Sequence, residues 1–413
     1  MENWKKISFI GDIMCEKPLL KAARKSDGTY DFSKVFSGTK SFFEKSDYVV
    51  GNLETVCAGK AEKYTKELYC FNTPDSFIES LSRSGINMVT LANNHCLDRD
   101  IGGIKRTIQL LNQYEIEHTG INLKVQDNPW LLKQIGDTKI AFLNSTYGTN
   151  TTTNGVVLNK QDKHLLRLMR RQEDNLYQAN VSSKIDLRSV ILFFPKKILS
   201  KERKMKIKRR LGMQYNQPKI DDNLSIEAVA PYINQIKEDI QEAKKEADLV
   251  IYCPHMGGQF NGQPGRFSEY IMGILADCQV DAVVGTHPHV VQKLEEKNVD
   301  GKIIPCAYSL GNYSISPSSV YVMPDFKPEY SIVLHMYIRN KKIEKLSFSI
   351  LKIVEKRSGM LSVYPVHELY KKLSQDDKIE LEKDVRFICK RFLGVSENYA
   401  IKEEYDILGE RKC

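Results

Sequence analysis

The stretch Val283-Val284-Gly285-Thr286-His287-Pro288-His289 is an apolar run that stops at a glycine and then presents two histidines on either side of a proline. The run reads as a buried strand. Pro288 has no N–H and pushes the residue before it toward extended backbone, so the expectation is a stiff turn at a strand end with His287 extended. Neutral imidazoles on such a loop are common metal ligands, oriented by whatever holds the second ring nitrogen. Taken alone, two nearby histidines are explained equally well by chance. The rest of the chain decides the matter by whether it brings further ligands to the same kind of place.

It does so repeatedly. Lys6-Ile7-Ser8-Phe9-Ile10 reads as a strand ending in Gly11-Asp12, and Asp47-Tyr48-Val49-Val50 as one followed by Gly51-Asn52-Leu53-Glu54. Asn87 to Ala92 runs into Asn93-Asn94-His95, and Leu249 to Tyr252 leads through Cys253-Pro254 to His255. Helical patterns separate the strands. Thr73-Pro74-Asp75 reads as a helix start, Asp100 can begin a helix through Leu111, and Ile233, Ile236, Ile240, Ala243 and Ala247 recur at three and four with Pro231 in the first turn. Arg266 to Cys278 reads as another helix. Strand–loop–helix units in series predict an α/β fold, and polar groups at successive strand ends point to one site at the carboxyl edge of a sheet. Tyr330 to Ile338 and Ile343 to Val354 read as an antiparallel edge pair, and Asp376 to Phe392 as an amphipathic helix packed on the outside.

The strand-end groups are Asp12, Glu54, Asn94, His95, His255, His287 and His289. Hard oxygens mixed with imidazoles suit Mn, Fe or Zn rather than an all-oxygen calcium cage or a thiolate site. The set is too large for one tetrahedral ion and fits two divalent metal ions bridged by a carboxylate, an arrangement that clamps a phosphoryl group from both sides. Each residue singly has an ordinary explanation: a turn cap, a surface acid, a left-handed turn residue or a core histidine. Those explanations do not account for every one following an apolar strand. His118, His164, His335 and His367 lack that context and read as structural.

The 413 residues allow one large α/β domain with insertions, or two domains, and 41% hydrophobic with 27% charged residues is ordinary globular composition. No run approaches the ~20 apolar residues of a membrane span. The first strand begins too early for a signal peptide before it. Nine cysteines without a CxxC pair suggest reduced thiols, so the expected location is the cytoplasm. The net charge of +9 is concentrated. Residues 196–210 carry nine Lys or Arg and one Glu, while the remainder is nearly neutral.

The blocks Gly11-Asp12, Asn52-Leu53-Glu54, Ala92-Asn93-Asn94-His95 with Leu97-Asp98, His255-Met256-Gly257, Gly285 to Gln292 and Tyr308-Ser309-Leu310-Gly311-Asn312 together resemble the CapA family. These are the poly-γ-glutamate capsule biosynthesis proteins of the calcineurin-like metallophosphoesterase superfamily. The resemblance implies a four-layer αββα sandwich of the metallophosphoesterase type, here with a basic, partly helical insertion. It implies that Asp12 and His289 serve a first metal, that Glu54 bridges, and that Asn94, His255 and His287 serve a second. His95 would be the general acid, and Asn52 and Asn312 would contact substrate. Where classical phosphoesterases place a histidine two residues after the first Asp, this chain has Met14, a poor ligand for a hard ion. His255-Met256-Gly257 stands where the family commonly has His-Trp-Gly.

The expected organisation is a core in two parts, 1–147 and 224–354, with an insertion at 148–223, helical around His164 to Arg171, and a helical extension at 355–413. Lys204, Arg209 and Arg210 of the insertion are candidate contacts for an anionic polymer or phosphorylated substrate. Together with Leu192-Phe193-Phe194, the basic run suits peripheral membrane contact through 190–212 or docking to a capsule synthase complex. Nucleic acid ranks last, because aromatic residues do not interleave the basic ones. The functional expectation is a metal-dependent hydrolase, a phosphoesterase of capsule or cell-envelope polymer biosynthesis. A γ-glutamyl amide hydrolase and a non-catalytic accessory protein are the alternatives.

Overall fold

The computed structural model describes residues 4–172, 218–395 and 400–407. The strands are β1 (Lys5–Ile13), β2 (Tyr48–Leu53), β3 (Met88–Thr90), β4 (Glu117–Thr119), β5 (Trp130–Ile135), β6 (Thr138–Thr146), β7 (Leu249–His255), β8 (Ala282–Val284), β9 (Leu294–Val299), β10 (Lys302–Ala307), β11 (Asn312–Ser314), β12 (Tyr330–Arg339), β13 (Lys342–Glu355), β14 (Leu361–Pro365) and β15 (Tyr405–Asp406). The helices are α1 (Lys17–Ala23), α2 (Ser33–Phe36), α3 (Lys40–Phe43), α4 (Ser76–Arg83), α5 (Asp100–Gln113), α6 (Thr151–Asn154), α7 (Pro218–Asp222), α8 (Ile226–Glu246), α9 (Arg266–Asp277), α10 (Val366–Tyr370) and α11 (Gln375–Leu393).

Two sheets carry the fold. The larger runs β14-β13-β12-β1-β2-β3-β4, with β11 beside β1 and β15 beside β13; the smaller runs β5-β6-β7-β8-β10-β9. In each, the central strands are parallel: β1 to β4 in one, β6, β7, β8 and β10 in the other. Parallel strands are normally covered on both faces, which is why these read as near-continuous apolar runs.

Three apolar clusters separate four layers. Ile7, Phe9, Val50 and Met88 of the larger sheet meet Phe142, Ile251, Cys253 and Val284 of the smaller one between the sheets. Leu19, Phe77, Ile78, Leu81, Ile104 and Ile108 from α1, α4 and α5 cover the larger sheet's outer face. Ile233, Ile236, Ile240, Phe267, Ile271 and Leu275 from α8 and α9 cover the smaller sheet. The result is a helix–sheet–sheet–helix sandwich. Asn144 of β6 staples its two halves at the carboxyl ends of the strands, accepting from Ala92 N (2.6 Å) and donating to Cys253 O (2.6 Å).

Several local expectations are corrected. The helix expected from Thr73 starts at Ser76, because the Thr73 hydroxyl bonds Thr55 Oγ1 (2.8 Å) instead of capping. α8 begins at Ile226, where the Ser225 side chain accepts from Ala228 N, so Pro231 lies inside the helix. The β12–β13 hairpin is not an edge. β12 lies between β1 and β13, and its His335 is held by Ser8 Oγ (2.8 Å) and Ser349 Oγ (3.0 Å). α11 is not merely external, since Leu381, Val385, Ile388 and Phe392 join the cluster between the sheets.

The stretch His164 to Arg171 has one 3-10 turn, Lys163–Leu165, and then extends so that Leu168 bridges Thr146. Leu158, Leu165 and Leu166 enter the outer cluster of the larger sheet and Met169 that of the smaller, so residues 148–172 lie against the core. The basic run, Lys204, Arg209, Arg210 and all of 190–212 fall outside the described residues.

One close approach aligns the first strand end. β12 pairs with Lys5 to Phe9 of β1, and β11 takes over at Asp12, whose N–H donates to Gly311 O (2.9 Å). A Cβ on Gly11 would lie 1.9 Å from that same oxygen. Gly11→Ala is therefore expected to cost about 3 kcal/mol or more in urea unfolding, since the obstacle is backbone that cannot turn aside. Gly28→Ala, in open space at φ 83°, should cost only the left-handed backbone penalty of about 1 kcal/mol.

Candidate metal centre

The carboxyl ends of the parallel strands from both sheets converge on one buried constellation. Asp12 is within β1, Glu54 directly follows β2, and Asn94 and His95 lie in the turn after β3. His255 ends β7, and His287 and His289 sit in the loop after β8. Each of these seven side chains is at most 1% exposed.

Glu54 is common to two triads whose ligand atoms all lie within 4.8 Å of one another: Glu54, His255 and His287 form one, Asp12, Glu54 and His289 the other. Its Oε1 is 3.6 Å from His255 Nε2, 3.9 Å from His287 Nδ1 and 3.6 Å from His289 Nε2. Glu54 Oε1, His287 Nδ1 and His289 Nε2 are buried without any hydrogen-bond partner. A buried polar atom left unpaired costs roughly 1–3 kcal/mol, so three facing one point are a mismatch that cations would resolve. The donor set, imidazole nitrogens and carboxylate oxygens, fits divalent ions of the Mn, Fe and Zn type.

The remaining contacts aim these groups. His255 Nδ1 lies 3.0 Å from Thr286 Oγ1, and its Nε2 lies 2.7 Å from Asn94 Oδ1. His289 Nδ1 lies 3.0 Å from Asn312 Oδ1 and 3.1 Å from Asp12 Oδ2, which turns Nε2 toward Glu54. Asn52 donates to Asp12 Oδ1 (2.8 Å) and accepts from Thr90 and Asn93 (3.2 Å each). Partners of this kind fix ring orientation and tautomer. Asn52 and Asn312 are buried with their amides engaged; Asn312 donates to His289 O (2.6 Å) and Pro328 O (3.0 Å).

The His287 turn also differs from expectation. Its φ is +101° and that of His289 +57°, so neither is extended. Both are rare backbone states for side-chain-bearing residues and persist only where surroundings hold them. Here the His287 N–H donates to Asp12 Oδ2 (3.2 Å), and Pro288 O accepts from Phe260 N (2.7 Å). Pro288 restricts its neighbour, but tertiary hydrogen bonds select the conformer.

Met14 is not turned to metal chemistry. It is 1% exposed within the apolar cluster beneath the helices. Beside the first triad the chain buries another acid, Glu16, which accepts from Tyr321 OH (2.8 Å) and Ser316 N (2.9 Å). Nothing in its sequence context singled it out.

His95 lies next to the triads and pairs through Nδ1 with Asp98 Oδ2 (2.7 Å), while its ring stacks on Phe71 with centroids 4.3 Å apart. Asp98 also accepts from Phe71 N (2.6 Å), which fixes the carboxylate. The i, i+3 spacing of His95 and Asp98 is the one signal by which the pair could have been found from residues alone. Tyr147 packs on His287 at 4.6 Å, and the Arg170 guanidinium lies over Tyr147 (5.1 Å) and Phe267 (4.9 Å).

Burial, then the adjacent Asp12 carboxylate, holds Glu54 far above the usual carboxylate range. Burial also raises Asp12, but its hydrogen bond and electrostatic contact with His289, followed by smaller contributions from neighbouring groups, outweigh that and leave it lowered. Burial pushes His255 down to about 3 and His287 well below the usual imidazole value, so both rings stay neutral and able to ligate.

Residues 6–317 match the family model for the bacterial capsule synthesis protein PGA_cap, so the chain belongs to that family, which is metallophosphoesterase-like. It is 25% identical over 307 residues to the PGA biosynthesis protein CapA of Bacillus subtilis (strain 168) and 21% identical over 311 residues to the capsule biosynthesis protein CapA of Bacillus anthracis. Each alignment covers 74% of this chain, and the chain spans 62% and 59% of those relatives. Among solved structures, a Staphylococcus aureus protein described as a 5'-nucleotidase aligns at TM-score 0.40 and 10% identity, over 93% of this chain and 58% of that one. No helix among the described residues is long and apolar enough to cross a membrane.

The Glu54 shift sets the sign of a pH effect. A proton held by Glu54 in the metal-free protein must leave when a cation binds, whereas His255 and His287 have none to lose at neutral pH. Mn²⁺ affinity measured by calorimetry is therefore expected to rise with pH from 4.5 upward, by up to about tenfold per unit until the raised Glu54 pKa is passed. Glu54→Gln should bind more weakly and flatten that slope.

Proposed function

We propose that this member of the family is a metal-dependent hydrolase of phosphoester bonds, acting in bacterial capsule or cell-envelope polymer metabolism. The observation that carries the reading is the sharing of Glu54 between two ligand triads immediately beside the His95–Asp98 pair. In this reading Asp12, Glu54 and His289 would hold one divalent ion, and Glu54, Asn94, His255 and His287 would hold the other. Bound there, such ions would supply Lewis-acid chemistry and an activated water at neutral pH.

The chain's own groups do the rest. Asp98 accepts from Nδ1 of His95 and so directs Nε2 toward the substrate. Protonated there, His95 delivers a proton to the departing oxygen, a task worth roughly 10²–10⁴-fold in rate. Thr286, Asn312 and Asn52 keep the ligands aimed. The depth of the site excludes bulk water and strengthens each electrostatic contact. The same groups would serve a γ-glutamyl amide, with nitrogen in place of oxygen as the leaving atom.

Met14 favours a second, non-catalytic reading. With that side chain buried in the apolar core, the first triad has no further histidine from β1, and a weakly held ion would leave an accessory role in a synthase complex. The basic run at 196–210 would serve either reading by holding an anionic polymer or an anionic membrane surface. A cytoplasmic, membrane-peripheral protein is the setting both imply.

Metal content by mass spectrometry, paired with Mn²⁺-supplemented assays on bis(p-nitrophenyl) phosphate and p-nitrophenyl phosphate, separates the readings. His95→Ala is expected to lower kcat by about 10²–10⁴-fold with metal content unchanged. No bound metal and no turnover in the unmutated protein would leave only the accessory role. Deleting 190–212 should reduce sedimentation with anionic liposomes at low salt; equal sedimentation would remove the membrane proposal.

A further inference from the structure

The candidate site is deeply buried. Its seven candidate groups are at most 1% exposed, so a substrate reaches His95 only if something moves. Asn150, which follows β6, touches both Asn94 and His95 and is itself partly exposed. Asn150 precedes α6 as its N-cap residue, yet its side chain makes no capping bond. Asn is among the preferred capping residues, so forgoing the cap has a local cost. The carboxamide turns inward instead. Its Oδ1 accepts from Asn94 Nδ2 (3.3 Å), and its Nδ2 lies 3.4 Å from Nδ1 and 3.3 Å from Nε2 of His95. A nitrogen equally far from both ring nitrogens lies over the imidazole face rather than at either lone pair. Nδ1 is already satisfied by Asp98, so Nε2 has a neighbour but no well-aligned partner.

Asn150 also stands at one end of a short helical turn flanked by left-handed residues. It occupies the left-handed region (φ 50°, ψ 37°), and Gly155, at the other end of α6, does too (φ 75°, ψ 3°). The four-residue turn between them faces a cavity of about 620 Å³ lined by Thr153, Asn154, Asp98, Arg99 and Cys70. Asp98 thus borders the cavity on one side and holds His95 on the other.

We propose that Asn150 is the gate residue of this site. Its carboxamide covers the face of His95 in the closed site, and it withdraws with Thr151–Asn154 to admit substrate from the cavity. The proposal rests on the hydrolase reading for its substrate class, but its geometry can be tested without turnover. Asn150→Gly removes the amide while keeping the left-handed backbone, so folding is spared. Carbethoxylation by diethyl pyrocarbonate, read by mass spectrometry, should then proceed at His95 about tenfold faster than in the unmutated protein, with His164 as an unchanged reference. Equal rates at His95 would overturn the gate.

With Mn²⁺ and p-nitrophenyl phosphate, Asn150→Gly should lower KM about threefold or more, because the amide no longer covers His95 against the substrate. Asn150→Asp, whose carboxylate repels the entering phosphoryl group, should instead raise KM. An unchanged KM in both variants would overturn the gate. If the unmutated protein turns over no phosphoester, the hydrolase reading fails, and the carbethoxylation rates alone decide the gate.

Discussion

The structure depends on a carboxylate oxygen with no hydrogen bond. Glu54 Oε1 is buried among three imidazole nitrogens 3.6–3.9 Å away, and no donor reaches it. A folded chain normally avoids such a group, because an unpaired buried acceptor loses its hydration and regains nothing. Here the surrounding architecture holds the defect in place. Asn52 steadies the neighbouring Asp12, Thr286 and Asn312 aim two rings, and the Asn144 staple brings the two sheet edges together. Local destabilisation of this kind is characteristic of sites that are completed by a ligand.

The strained turn at His287 and His289 belongs to the same account. Two departures into positive φ, one on each side of Pro288, are tolerated because Asp12 bonds the His287 backbone and Phe260 bonds the Pro288 carbonyl. Asp12 therefore acts twice, through its carboxylate toward His289 and through its grip on the loop that carries both histidines. A change at Asp12 would release the loop as well as remove a ligand. The Met14 position adds little to this network, since its side chain is committed to apolar packing.

Much of this was legible in the sequence, for identifiable reasons. Apolar runs followed by a polar residue mark the strands of a parallel sheet and the edge where ligands gather, and Asp12, Glu54, His255, His287 and His289 do lie together, with Asn94 against His255. Spacing does not reveal which hydrogen bond wins. Thr73 was a reasonable cap until Thr55 claimed its hydroxyl, and β12 looked peripheral because a hairpin says nothing about its outer neighbour. His287 looked extended because local sterics favour it, while tertiary bonds overrule them. Asn150 lies in a polar tract whose composition reads as a loop, and only its approach to His95 gives it meaning.

The pairing of β11 with β1 has a consequence for how the protein is made. Asn312 aligns with Asp12 across that pair, and Asn312 also orients His289. The first and last parts of the centre are therefore joined by a contact spanning three hundred residues. Contacts of such long sequence separation form late and slowly. On the ribosome, the segment bearing Asp12 and Glu54 would wait through most of synthesis before its partners emerge. Until then its acids stay solvated, and the two triads, which need groups from both sheets, can be assembled only after the late strands have paired.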